Sequence, residues 1–158
     1  MFRDNEKKNL RGDLFLKICH GDGSQDRIAH RNLIVTGGRN ALAKLLSGQT
    51  GMHISSIAVG TGSAPAADGD AAITDPVSVD ISDVRVGTNL EDEDGAIFES
   101  PNVVQFHFVF PRDAAVGVQI GEYGLFCADG TLFSRVVRDT PFEKTALDKI
   151  TGFWQITF

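Results

Sequence analysis

The segment VVQFHFVFP, residues 103–111, alternates without a fault. Val104, Phe106, Phe108 and Phe110 share one parity, while Val103, Gln105, His107 and Val109 share the other. Successive side chains of a strand point to opposite faces, so three phenylalanines on one parity commit this segment to a β-strand with one buried face. A helix would scatter the same rings around its axis. Pro111 ends the strand because it brings no N–H to a ladder. Such a strand needs neighbours, and the rest of the chain must supply them.

Several segments carry the same period. Leu14, Leu16 and Ile18 alternate, HGDGSQD makes a turn, and Ile28 to Val35 reads as the return strand. ISSIAVG, with Ile54, Ile57 and Val59, reads as another. Along VSVDISDVRVG, Val77, Val79 and Ile81 face one way, but Val84 and Val86 sit on the opposite parity, which predicts a bulge or a bend near Asp83. KITGFWQITF closes the chain with Ile150, Trp154, Ile156 and Phe158 in phase. One helix is expected, in TGGRNALAKLLSG. It starts after a Thr-Gly-Gly break, buries a stripe of Ala41, Leu42, Leu45 and Leu46 against a sheet, and stops at Gly48.

The pattern amounts to about eight strands and one helix. The 17 glycines and 11 phenylalanines fit a strand-rich chain, and 158 residues suit one domain able to bury its own core. No helices interleave with the strands. The expected fold is therefore mainly β: an antiparallel β-sandwich over residues 13–158 with one short α-helix packed on it. Residues 1–12 read as a mobile polar arm carrying Arg3, Lys7, Lys8 and Arg11, diluted by acids. The loops at 62–76 and 87–102 are long for a sandwich and are expected to serve contact or to lack order.

EYGLFCADGTLFSR, residues 122–135, is the most organised short stretch. Val118 to Cys127 and Thr131 to Val137 are expected to pair around Asp129-Gly130. A register centred near Asp129 would set Glu122 beside Arg135 as a cross-strand ion pair. Gly121 and Gly124 would let a neighbouring backbone approach. The candidate site residues are thus Glu122, Gly124, Asp129, Gly130 and Arg135, in a structural role.

Chemistry-bearing patterns are sparse. The histidines are His20, His30, His53 and His107, with no HxH or HExxH spacing, and His107 reads as a surface or interface residue. GTGSAP lacks the Lys and helix start of a phosphate loop and reads as a turn; TGGRN reads as an ordinary helix entry. EDED at 91–94 and DGD at 68–70 lack the spacing of a calcium loop and read as solvated acids. No GxSxG occurs, and the RGD at 11–13 is too short to carry weight. No metal, cofactor or enzyme activity is expected. A net charge of −6 without a basic face argues against nucleic acid, and no apolar run approaches the ~20 residues of a membrane span. No leader peptide is visible. Cys19 and Cys127 read as buried free thiols, as in a reducing cytoplasm.

IGEYGLFCADGTLFSRVV followed by FEKTALDKITGFWQITF resembles a pattern in tail-fibre and tail-associated structural proteins of bacteriophages and prophages. There an E-x-G-L-F turn precedes a D-G-x-L hairpin, an aliphatic strand with an Arg, a Lys motif and a closing W-x-I-x-F strand. NLIVTGGRNALAKLLSG and ISSIAVGTGSAPAADGDAAI are similar to the asparagine-led strand, glycine-capped helix and G-T-G-x-x-P loop of the same proteins. The resemblance implies a virion component of the tail, assembled in the host cytoplasm. It would touch baseplate and tail-fibre proteins and act in several copies or as a homo-oligomer. Typical fibres continue into a stalk or tip, whereas this chain stops at Phe158, so an adaptor fits better than a receptor-binding fibre. The alternative is a carbohydrate-binding module. Against it, Trp154 and Tyr123 both lie in core-like strands.

Overall fold

A computed structural model describes residues 10–158. The larger part of the expected arm, residues 1–9, lies outside the described residues. In order, the elements are β1 (Arg11–Cys19), β2 (Gln25–Ile34), α1 (Thr36–Leu46), β3 (Ile54–Gly60), β4 (Val77–Asp80), β5 (Asp83–Val86), β6 (Leu90–Glu91), β7 (Ile97–Phe98), β8 (Val103–Phe110), β9 (Gln119–Cys127), β10 (Leu132–Glu143) and β11 (Lys149–Thr157). Arg11 and Gly12, expected in the arm, open β1 instead, where they pair with Thr157 and Ile156 of β11.

Nine strands form one antiparallel sheet in the order β4-β3-β9-β10-β2-β1-β11-β8-β5. β2 makes the corner: residues up to Asn32 pair with β1, and Leu33 and Ile34 pair with Arg135 and Ser134 of β10. One layer is therefore β2-β1-β11-β8-β5 and the other β10-β9-β3-β4, which is the antiparallel sandwich that the alternation predicts. The two edge strands, β4 and β5, are consecutive in the chain and separated by only Ile81 and Ser82. That short link forces the sheet to curl until its edges meet. Ile81 donates its N–H to Ser55 O at 3.0 Å, and Ser82 donates to His107 O at 2.8 Å, so the two residues bridge the seam. The parity change near Asp83 is this bend between two layers.

Splitting 77–86 into β4 and β5, and folding 87–102 into the small β6-β7 hairpin, raises the strand count from about eight to eleven. Two-residue strands are too short to leave a period in the sequence.

The interior is filled by the expected parities. Leu14, Leu16 and Ile18 meet Phe108, Phe110, Ile150, Trp154 and Ile156 from their own layer and Ile57, Val59, Tyr123, Leu125 and Phe133 from the other, in one continuous cluster. Phe108 and Phe110 pack edge to face at 6.0 Å.

α1 departs from expectation at both ends. Thr36-Gly37-Gly38 is its first turn, not a break before it. The glycines are needed because a Cβ at Gly38 would strike the Phe133 carbonyl and one at Gly37 would sit 3.0 Å from Leu132 O. This contact fixes the N-terminal half on β10. Ala41 is buried and Leu42 partly so, but Leu45 is half-exposed and Leu46 is 90% exposed, because the C-terminal half projects past the sheet. The expected docking of Leu45 and Leu46 is therefore wrong. The end is as expected: Gly48 takes φ +83°. Its N–H reaches Leu45 O and that of Gln49 reaches Lys44 O, both at 3.0 Å, closing a Schellman motif.

Candidate functional site

The hairpin residues reach beyond their own hairpin. Asp129-Gly130 turns the chain with Gly130 at φ +89°, and Cys127 O accepts the Gly130 N–H at 2.9 Å, so Ala128, Asp129 and Gly130 form the expected three-residue loop. Asp129 Oδ1 accepts the Thr131 N–H at 2.9 Å. A β-bulge between Leu132 and Ser134 moves the register by one residue, so Arg135 lies opposite Gly124 and Glu122 opposite Val137. The ion pair forms all the same, along the diagonal: Arg135 Nε donates to Glu122 Oε2 at 2.7 Å.

This pair is not a surface pair. Glu122 is fully buried and Arg135 nearly so, because the loop between β3 and β4 lies over both. Glu122 Oε1 accepts the Gly62 N–H at 2.9 Å and the Thr74 N–H at 2.7 Å. Arg135 Nη2 donates to Ala64 O at 3.0 Å, and Nη1 donates to Asp70 Oδ2 at 2.7 Å. Asp70 Oδ2 also accepts the Ala67 N–H at 2.9 Å. Two carboxylates and one guanidinium thus clamp residues 61–76 onto β9 and β10. Gly62 and Gly121 make room: a Cβ on Gly62 would overlap the Glu122 carboxylate, and one on Gly121 would overlap Gly62 O. Gly124 faces side chains of Phe126, Leu132 and Ile73 instead of a foreign backbone.

Burial works to lower the Arg135 pKa, but its bonds to Asp70 and Glu122 outweigh it and hold the guanidinium charged. The Ala67 N–H first, and then Arg135, hold the Asp70 carboxyl below its ordinary range. The DGD stretch is therefore not simply solvated: Asp68 is exposed, but Asp70 is half-buried in the clamp. Sixty-five residues separate Asp70 from Arg135, and no local pattern ties them. Every side-chain polar atom of Glu122 and Arg135 is hydrogen-bonded, an arrangement that fixes the loop.

Two further charged clusters were not legible. His20 lies between Asp148 and Asp26, each 2.8 Å from a different ring nitrogen, and joins the β1-β2 turn to the β10-β11 connection. The bond to Asp26 first, then that to Asp148, raises its pKa. Lys144 is fully buried with Nζ on Arg112 O at 3.0 Å, and burial lowers its pKa.

On the outer face of the β2-β1-β11-β8-β5 layer, register places Ala29, Phe15, Phe153, His107 and Asp83 in one row across five strands. Phe15 and Phe153 are 4.9 Å apart between ring centroids, and His107 is 5.2 Å from Phe153. The β6-β7 hairpin arches over this face. Its base is pinned by buried Gln105, whose Oε1 accepts the Glu91 N–H at 3.0 Å and whose Nε2 donates to Glu91 O at 2.7 Å. Its acidic tip, Asp92 to Asp94, reaches Arg27 only at 3.4 Å. Hollows of about 610 and 500 Å³ flank the tip. The His107 side chain is largely buried here with Nδ1 3.5 Å from Glu91 Oε2, and burial first, then Arg85, lowers its pKa. Phe15 and Phe153 lie off the core parity of their strands, and that was the sequence signal for this row.

Among the described residues, no group of three or more His, Cys, Asp or Glu is placed to hold a metal ion, and no helix is long and apolar enough to cross a membrane. Comparison with known protein families, curated proteins and solved structures finds no match for this chain.

Proposed function

We propose that the chain is a structural component of a phage tail, an adaptor that ties fibres to the baseplate through protein–protein contacts. The supporting observation is the clamp. The residues that carry the resemblance lie in three separate segments: the G-T-G-x-x-P loop at 60–65, Glu122 of the E-x-G-L-F segment, which lies in β9, and Arg135 of the aliphatic strand. All three meet at hydrogen-bond distance. A motif set held together by one physical device is what a shared architecture requires, and the device itself fixes shape and performs no reaction. In this reading several copies sit in the tail, assembled in the host cytoplasm, with residues 1–9 reaching a neighbour.

Two experiments test it. Labelled antibody against the chain should decorate the tail in images of purified virions; decoration of the capsid alone, or none, refutes the reading. Deleting residues 1–9, which leaves β1 intact, should preserve the fold and abolish incorporation into tails. Incorporation at the wild-type level would remove the arm from the attachment surface.

A further inference from the structure

The nine-stranded sheet has two edges, β4 and β5, and they are not equally guarded. On β4 the outward backbone groups belong to Ser78 and Asp80, since Ile81 donates its N–H to Ser55 O and so sets the phase of the ladder to β3. Pro76 precedes that strand, and nothing cationic in it answers Asp80. β5 differs. Gly87 donates its N–H to Val103 O at 3.0 Å, which turns the N–H and C=O groups of Asp83 and Arg85 toward β8 and those of Val84 and Val86 outward. The side chains of both valines lie on the core parity, opposite Phe106 and Val104, yet they are 51% and 65% exposed. Asp83 and Arg85 lie on the outer face, where Arg85 Nε donates to Asp83 Oδ2 at 2.8 Å.

We propose that β5 pairs with β5 of a second copy of this chain, antiparallel about a two-fold axis at Val84, so that one sheet runs through both copies. Charge selects the occupant and the register. The outward groups at 84 and 86 allow three antiparallel self-pairings. With Val84 opposite its own symmetry mate, Asp83 of each copy lies across from Arg85 of the other. With Val84 opposite Val86, Arg85 faces Arg85, and like charges directly opposite are destabilising. With Val86 opposite its mate, Arg85 faces Gly87 and the charges find no partner. Only the first register matches every charge with its opposite. It also sets the Asp83–Arg85 pairs at the non-hydrogen-bonded positions, where opposing side chains come closest. Both groups have capacity for a second partner. The Asp83 side chain is 53% exposed, and Arg85 Nη2 makes no hydrogen bond among the described residues. The valines of the two copies would meet on the inner side and shield each other from water. A four-residue strand is a small contact beside the roughly 800 Å² per partner of a standard interface, so the dimer is weak and grows with concentration. The inference does not rest on the tail reading, which names no contact between copies; the purified chain alone should show it.

The test is sedimentation velocity on the purified full chain from about 10 µM to about 1 mM, with amide NMR on the same samples. The wild type should pass from monomer to dimer, and the amides of Val84 and Val86 should shift with concentration while that of Leu46, on α1, does not. Asp83→Arg alone and Arg85→Asp alone each set like charges across the axis, and each should weaken dimerisation by about tenfold. An equimolar mixture of the two variants restores opposite charges across the axis and should associate at least as tightly as the wild type. A wild type that stays monomeric to about 1 mM overturns the proposal and leaves the edge to a strand of a different protein. A dimer that neither reversal weakens overturns it too, because its contact then lies elsewhere, as does a mixture no tighter than either variant alone. Should a reversal unfold the chain, Val84→Pro decides. It removes one outward N–H without touching the ladder to β8 and should abolish the dimer; wild-type association there overturns the proposal.

Discussion

Glu122 sits in the protein interior with both oxygens engaged, and this predicts how it fails. Glu122→Gln keeps the shape but removes the charge that balances Arg135, leaving a buried guanidinium half-compensated. Breaking a buried pair from one side costs about 3–5 kcal/mol, and urea unfolding should show it. A loss under about 1 kcal/mol would mean the pair behaves as the surface contact that its hairpin spacing implies. His20 makes a different prediction. Its pKa is raised above 6.5, so its stabilising contribution is complete below that pH and fades as pH rises through the elevated value. Burial pushes the Asp148 pKa up, but the Thr145 hydroxyl and N–H and the His20 ring outweigh it and leave it below 3.8. The Asp148 contribution is therefore lost only in acid. The stability gap between wild type and His20→Asn should narrow as pH rises from about 6 to about 9; a gap independent of pH would refute this. At this scale the sequence showed the Glu122–Arg135 pair, because a hairpin sets its own register within a residue or two. It did not show Asp70 or His20, whose partners come from distant loops.

At the scale of elements, strands were legible and their company was not. The parity of Phe106, Phe108 and Phe110 placed them inward, and they are buried. The helix stripe misled because periodicity says which residues share a face, not how much of the helix lies over the sheet. Gly38 is where α1 is held. Gly38→Ala, ordinarily favourable in a helix, should here destabilise by roughly 1–3 kcal/mol through overlap with the Phe133 carbonyl, whereas Leu46→Ala should stay within about 0.5 kcal/mol. Equal melting shifts for the two would show that the helix is not anchored by its first turn. The β6-β7 hairpin went unseen because its strands are two residues long and its anchor, Gln105, lies on another strand.

For the molecule as a whole, one main core, a small second cluster of Val35, Ala58, Ile73 and Leu132, and one closing seam carry the stability. Phe108→Ala should cost about 3–5 kcal/mol, since its ring is almost fully buried; an unchanged melting temperature would mean the two layers do not pack there. Both cysteines are free, and their accessibility differs. Cys127 is 2% exposed and burial pushes its pKa up to about 11, while Cys19 is half-exposed. Alkylation should therefore give one adduct on the native protein, at Cys19, and two after denaturation. Two adducts on the native protein would show that the β9 layer opens readily. The position of β11 carries the remaining consequence. β11, which follows both of its partners in the chain, is not at an edge: it lies between β1, paired over Lys149–Thr157, and β8, paired over Ile150–Thr157. During synthesis, β1 and β8 would each present a bare row of backbone donors and acceptors until residues 149–157 leave the ribosome. Unpaired edges of that kind invite pairing between chains. Nascent chains stalled before Lys149 should therefore associate more readily than chains stalled after Thr157, which a comparison of their aggregation would check.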